Sequence, residues 1–174
     1  MKIMPFFFMR HLQVLRFVMC LCGASLVPFL SSCEDNCVYH DYQHLTNSNW
    51  NSRDTLCFRI PITDSLAIYR LDLEMRHTTE FVYKEALIML ESHYGNQQSK
   101  TRLFCFPIVA EDGRWLGTGW GNTLQLSKSL GEYRFAHRDT LVFRIYHSMN
   151  EPQLKGISDV GLKVTKVSRH YDKK

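Results

Sequence analysis

Two places in this 174-residue chain hold residues whose types and spacing could do chemistry: a cysteine behind an apolar leader, and the stretch Glu111 to Asn122. The second packs Trp115, Trp120 and Arg114 among four glycines, Gly113, Gly117, Gly119 and Gly121. Glycines there let the backbone take positive φ or approach another strand closely, at an entropic cost a simple surface loop seldom needs. Amphipathic rings on such a loop either plug the end of a sheet or offer an aromatic platform to a ligand. Catalysis finds less to work with. The sequence has no GxSxG elbow, HExxH, P-loop or EF-hand pattern, and Gly117-Thr118-Gly119-Trp120-Gly121 lacks dinucleotide spacing and opens no helix. Glu111-Asp112 before a glycine is ordinary turn chemistry. No CxxC pair or close Cys/His set supplies four metal ligands. The expectation is a non-enzyme with no cofactor, no metal and no small-molecule substrate.

The cysteine behind the leader is Cys33. Lys2, Arg10 and Arg16 form a positive start, Phe17 to Leu30 an apolar run too short to span a bilayer comfortably, and no acidic residue precedes Glu34. Leu30-Ser31-Ser32-Cys33 resembles the bacterial lipobox, in which the cysteine sulfur takes a diacylglycerol, the peptide is cut before it, and the new amino terminus is acylated. Residues 1–32 therefore read as a lipoprotein signal peptide. Acyl chains such as palmitate at Cys33 would anchor the chain firmly, since each buried methylene contributes about 0.8 kcal/mol. Glu34-Asp35 resembles the acidic tracts that send some lipoproteins to the outer face, and the membrane face stays open. Losing the leader removes three of the 21 Lys and Arg and none of the 17 Asp and Glu, leaving 18 against 17, a net +1. No field that gathers nucleic acid remains. Cys20 and Cys22 leave with the leader, so Cys37, Cys57 and Cys105 remain beside the acylated Cys33. Cys57 and Cys105 lie in strand-like segments, where a free thiol behaves as a small hydrophobe; a disulfide between them is the alternative.

The elements that must position the loop read as strands. Leu56, Phe58, Ile60 and Ile62 alternate with Cys57, Arg59 and Pro61, and the proline favours an edge position. Tyr69, Leu71, Leu73 and Met75 alternate with Arg70, Asp72, Glu74 and Arg76, predicting an apolar face inward and a charged face to water. Ala86 to Leu90 is short and ends at Gly95-Asn96, favouring strand over helix. Leu103 to Ala110, apolar on both sides, predicts a central strand entering the glycine-rich loop. Thr123 to Leu130 is read as a helical turn or two, or an irregular strand. Strands follow at 133–135, 141–146 and around Val160, Leu162 and Val164, after a polar crossing from Met149 to Ile157. Seven to nine short strands and no helix of real length predict an all-β fold, an antiparallel β-sandwich of jelly-roll or immunoglobulin-like type. One β-sandwich domain is expected over 51–168, after a lipid-anchored tether and first edge strand over 33–50, and before a basic tail over 169–174.

Gly113-Arg114-Trp115-Leu116-Gly117-Thr118-Gly119 and Leu154-Lys155-Gly156-Ile157-Ser158-Asp159-Val160-Gly161-Leu162-Lys163 together resemble the GldH gliding-motility lipoprotein family. The lipobox at Cys33, the Trp50 segment, and Met149 before the Leu-Lys-Gly-Ile run fall in the same order as in that family. Tyr83-Lys84-Glu85-Ala86-Leu87 departs from the family pattern, so that loop is expected to differ. The resemblance implies a small lipid-anchored envelope protein, outer-membrane associated, working beside other gliding lipoproteins and linked to type IX secretion. It implies no catalytic activity, and gives Cys33 as the lipidated residue. For Arg114, Trp115, Gly117, Gly119, Trp120, Lys155 and Gly156 a partner- or ligand-docking role is expected. The alternative is a glycan-binding surface lipoprotein that uses a tryptophan platform.

Overall fold

The computed structural model describes residues 36–167; the signal peptide expected over 1–32, Cys33 and the tail expected over 169–174 lie outside the described residues. The described residues 36–167 belong to one compact unit. Its strands are β1 (Cys37–His44), β2 (Asn49–Asn51), β3 (Leu56–Ile62), β4 (Ile68–Thr78), β5 (Glu85–Tyr94), β6 (Lys100–Pro107), β7 (Thr118–Trp120), β8 (Thr123–Arg134), β9 (Asp139–His147), β10 (Gln153–Lys155) and β11 (Ile157–Val167). One sheet runs β1-β11-β4-β8-β7, the second β3-β9-β5-β6, and β2 and β10 pair as a small ladder. Every pairing is antiparallel. The architecture is an all-β sandwich.

Alternation decides which side chains fill it. Phe58 and Ile60 of β3, Leu71, Leu73 and Met75 of β4, and Val160, Leu162 and Val164 of β11 turn inward, and all are buried. The turn between β3 and β4 is pinned by Tyr69, whose hydroxyl donates to the Asp64 carbonyl at 2.8 Å and accepts from the Asp64 amide at 3.1 Å. Pro61, with no amide to give, lies on β3 at the edge of its sheet. Trp50 is fully buried, its indole donating to the Asp54 carbonyl at 3.1 Å, and Leu154 of β10 faces it across the small ladder.

The sandwich has two distinct ends. Asn36, the last residues of β11 and the turns at 63–67, 95–99 and 135–138 gather at the terminal end. The β4–β5 connection, the glycine-rich stretch and the β2–β10 ladder gather at the other, the loop end. The eleven residues of β4 separate the two ends by roughly 35 Å at strand rise.

Several sequence expectations change here. Leu103 to Ala110 is not central: β6 is an edge strand, with Leu103 58% exposed. Its apolar alternate face is uncovered, which apolarity alone does not reveal. Thr123 to Leu130 is not helical: it is part of the longest strand, β8, laddered along β4, and the irregular-strand alternative holds, with a bulge at Leu130 between the partners of Leu71 and Asp72. The polar crossing from Met149 contains β10, with Leu154 buried. The charged face of β4 does not simply meet water: Glu74 is only 5% exposed. Tyr42 lies across Gly161, where a Cβ would come within 2.6 Å of its ring, and donates to the Glu74 carboxylate. His40 Nε2 is 2.8 Å from the same carboxylate oxygen, and the Arg76 guanidinium sits 4.1 Å from the Tyr42 ring centre. Burial and the bond to Glu74 push the Tyr42 phenol well above its usual range.

One buried group carries a pH signature. His147 Nε2 lies 3.1 Å from the Trp50 carbonyl, while its Nδ1 is buried without a partner. That arrangement suits the neutral ring with its proton on Nε2, and burial holds the pKa below the usual imidazole value of 6.5. A folded pKa below the unfolded one means the stability contribution is fully present above the ordinary imidazole range and lost as pH falls through it. The urea midpoint is therefore expected to drop between about pH 7 and pH 5, and to drop less in His147→Gln. An equal drop in both chains would place the titration elsewhere.

Candidate docking surface at the loop end

The glycine-rich stretch folds as two consecutive turns. In the first, the Ala110 amide bonds to the Arg114 carbonyl at 2.8 Å and the Gly113 amide to the Ala110 carbonyl at 3.0 Å, with Gly113 at φ +85°. Leu116 N to Ile108 O at 2.8 Å and a bridge between Val109 and Trp115 close this hairpin. Arg114 is exposed, but its amide and Nε hold the Asp112 carboxylate at 3.1 and 2.6 Å, which keeps that carboxyl below its usual pKa. The second turn joins β7 to β8 through Gly121 and Asn122, with Trp120 opposite Thr123. A Cβ on Gly117 would come within 2.5 Å of the Gln125 carbonyl, and one on Gly119 within 2.0 Å of the Thr123 carbonyl. Their bareness is what lets β7 lie against β8.

The two tryptophans of the loop have different surroundings. The Trp115 ring packs half-buried on His77, ring centres 5.3 Å apart. Trp120 is 96% exposed. Trp50, fully buried, contributes nothing to a surface. A platform of several tryptophans is therefore reduced to one open ring at a hairpin tip.

Lys155 and Gly156 lie on the other flank of β4. Lys155 points outward between buried Leu154 and buried Gly156. Gly156, at φ +88°, donates to the Ser48 carbonyl at 2.7 Å and accepts from the Thr78 amide at 2.8 Å. Sequence-distant stretches thus meet at the end of β4. His77, fully buried, touches Trp115 and has Nε2 3.4 Å from the Leu116 carbonyl, while its backbone pairs with Ile157. This junction was not legible beforehand, since a lone histidine in a polar break gives no signal. The Tyr42, Glu74 and His40 cluster was also missed, although an isolated glycine inside a strand, Gly161, marks a close approach.

Cys57 and Cys105 sit on opposite edge strands, β3 and β6, three inter-strand steps and so more than about 14 Å apart, well beyond disulfide reach. Both are free, as is Cys37. The Cys105 thiol lies 2.7 Å from the Glu85 carboxylate, which raises its pKa. Among the described residues, no group of three His, Cys, Asp or Glu side chains is placed to hold a metal ion, and no helix is long and apolar enough to cross a membrane.

A family model described as GldH lipoprotein matches residues 37–164, from the first residue of β1 into β11. No curated protein matches the chain significantly. A solved structure titled "Structure of infectious bursal disease virus Gx strain" aligns at 13% identity and a TM-score of 0.32, over 84% of this chain and 37% of that one.

Proposed function

This chain belongs to the GldH lipoprotein family, and from that premise we propose that it is a non-catalytic accessory subunit of the gliding-motility machinery, linked to type IX secretion. In this reading Cys33 carries the lipid, the outer membrane holds the anchor, and the loop end docks an envelope partner. The observation that carries the docking role is Trp120, 96% exposed on a hairpin at the end of the sandwich remote from Asn36. A large ring held open on a glycine-fitted hairpin does no packing work within the domain, and tryptophan is among the residues that most often anchor interfaces. In this reading the anchored segment joins the fold at Asn36, at the terminal end, which leaves the loop end free for a partner.

The test is an in-cell cross-link of tagged protein followed by recovery from membranes. Trp120→Ala is expected to leave the unfolding midpoint within about 0.5 kcal/mol of the parent and to cut recovery of motility or secretion components about thirty-fold if Trp120 is a hot spot. Trp115→Ala is expected to cost about 2 kcal/mol of stability, because it uncovers His77. Undiminished recovery with Trp120→Ala would sink docking at that ring. The exposed ring also keeps a glycan-binding reading in view; saturable quenching of tryptophan fluorescence by polysaccharide, lost in Trp120→Ala, would shift the assignment to it.

A further inference from the structure

The sandwich is sealed along one side and open along part of the other. At the β1/β3 side the Gln43 amide reaches across to the Cys57 carbonyl at 2.7 Å. At the β8/β6 side Lys128 bonds to the Cys105 carbonyl at 3.1 Å, but β7 is too short to cover the rest of β8. Beyond it the sheets part toward the terminal end.

Two adjoining cavities of about 210 and about 190 Å³ occupy this gap, sharing Ser92, Lys100, Tyr133 and Phe143. Leu71, Leu90 and Phe143, all buried, are among their apolar lining. A bulge in β8 at its pairing with Leu71 and Asp72 turns Leu130 inward beside them. Lys100 and Arg102, on the inner face of β6 opposite Ser92 and Leu90, supply the charged side chains, and no carboxylate lines either cavity among the described residues. Arg102 is held by neutral acceptors only, its Nη2 3.4 Å from the Leu130 carbonyl and 3.3 Å from the Tyr133 hydroxyl. An apolar floor under two cations calls for an acidic head with an apolar tail.

The position of the cleft says where such a molecule comes from. Only Glu34, Asp35 and Asn36 separate Cys33 from β1, a reach of at most about 14 Å. The tether enters the fold at Asn36, whose carbonyl accepts from the Lys166 amide at 2.8 Å. Acylation of Cys33, the lipoprotein reading on which this step rests, therefore keeps the terminal end close to the bilayer surface. The larger cavity is lined there by Gln97, Gln98 and Ala136.

We propose that this cleft seats the acidic headgroup and first acyl segment of an anionic phospholipid from the membrane that holds the chain. Bound lipid would fix how the sandwich stands on the bilayer.

The experiment uses the unlipidated mature chain, residues 34–174, which contains the whole compact unit. It is floated with vesicles of phosphatidylcholine alone or of phosphatidylcholine with phosphatidylglycerol. Binding to the anionic vesicles only is expected, weakened at least about ten-fold in Lys100→Glu/Arg102→Glu. Ser92→Trp, which fills the cleft without changing charge, should weaken it similarly. Arg59→Glu/Arg144→Glu, an equal charge change on the outer face of the same β3-β9-β5-β6 sheet, should not. Equal losses in both double variants, or none in Ser92→Trp, would show general surface attraction and overturn the proposal. So would failure to bind vesicles, including a chain that instead binds dodecyl phosphate in solution. Because the assay contains no anchor, a failed result leaves the anchored reading standing; that reading falls separately if cells incorporate no acyl label at Cys33.

Discussion

Gly156→Ala is expected to destabilise the folded chain by about 3 kcal/mol, more than any change to the exposed residues beside it. Two effects add. The residue sits at φ +88°, where an L side chain is strained, and its Cβ would come within 2.4 Å of the Phe81 amide nitrogen and 2.8 Å of the Phe81 Cα. Those neighbours are backbone and cannot swing aside. Relief would require moving the 78–81 turn or breaking the bonds from Gly156 to Ser48 and Thr78 that join it to the β2–β10 ladder. Lys155→Ala, one residue away and exposed, is expected within about 0.5 kcal/mol of the parent. Denaturant unfolding of residues 34–174 in both variants decides the matter. Unchanged stability in Gly156→Ala together with lost partner recovery would make Gly156 a docking residue, not a structural one.

Trp50→Ala is expected to cost about 4 kcal/mol. The indole is fully buried, lies edge-on to the His147 ring with centres 5.5 Å apart, and bonds to the Asp54 carbonyl. Its removal leaves a cavity between the β2–β10 ladder and the end of β9 and strips that carbonyl of its donor. Against a typical total of about 5–15 kcal/mol, the variant would be marginal at growth temperature. Trp50→Phe, keeping most of the volume but not the bond, should fall between. Near-parent stability in Trp50→Ala would mean that the small ladder folds independently of the sandwich.

Both expectations concern residues that the sequence singled out, and they show how far such a reading reaches. Alternation made β3 and β4 legible because inward and outward residues differ in hydrophobicity along one strand, a property that needs no partner. Pro61 at an edge was legible for the same reason: the missing amide is local chemistry. The glycine-rich stretch was recognised as a special turn because conformational freedom belongs to the residue itself. Ranking β6 as central failed, since whether the outer face of a strand is covered depends on what lies beyond it.

The sequence by itself determined an all-β chain, the inward faces of its main strands and, through two distinctive stretches, its family. Those are consequences of residue type and order. Only the tertiary structure decided that Trp115 packs on His77 while Trp120 stands open, that Gly156 is pinched against Phe81, and that Cys57 and Cys105 lie on opposite edges. It alone covered Glu74, on the outer face of β4, with Tyr42 and opened a cation-lined cleft at the terminal end. Each of these depends on which distant strand becomes a neighbour, and the pattern along a single strand does not encode that choice.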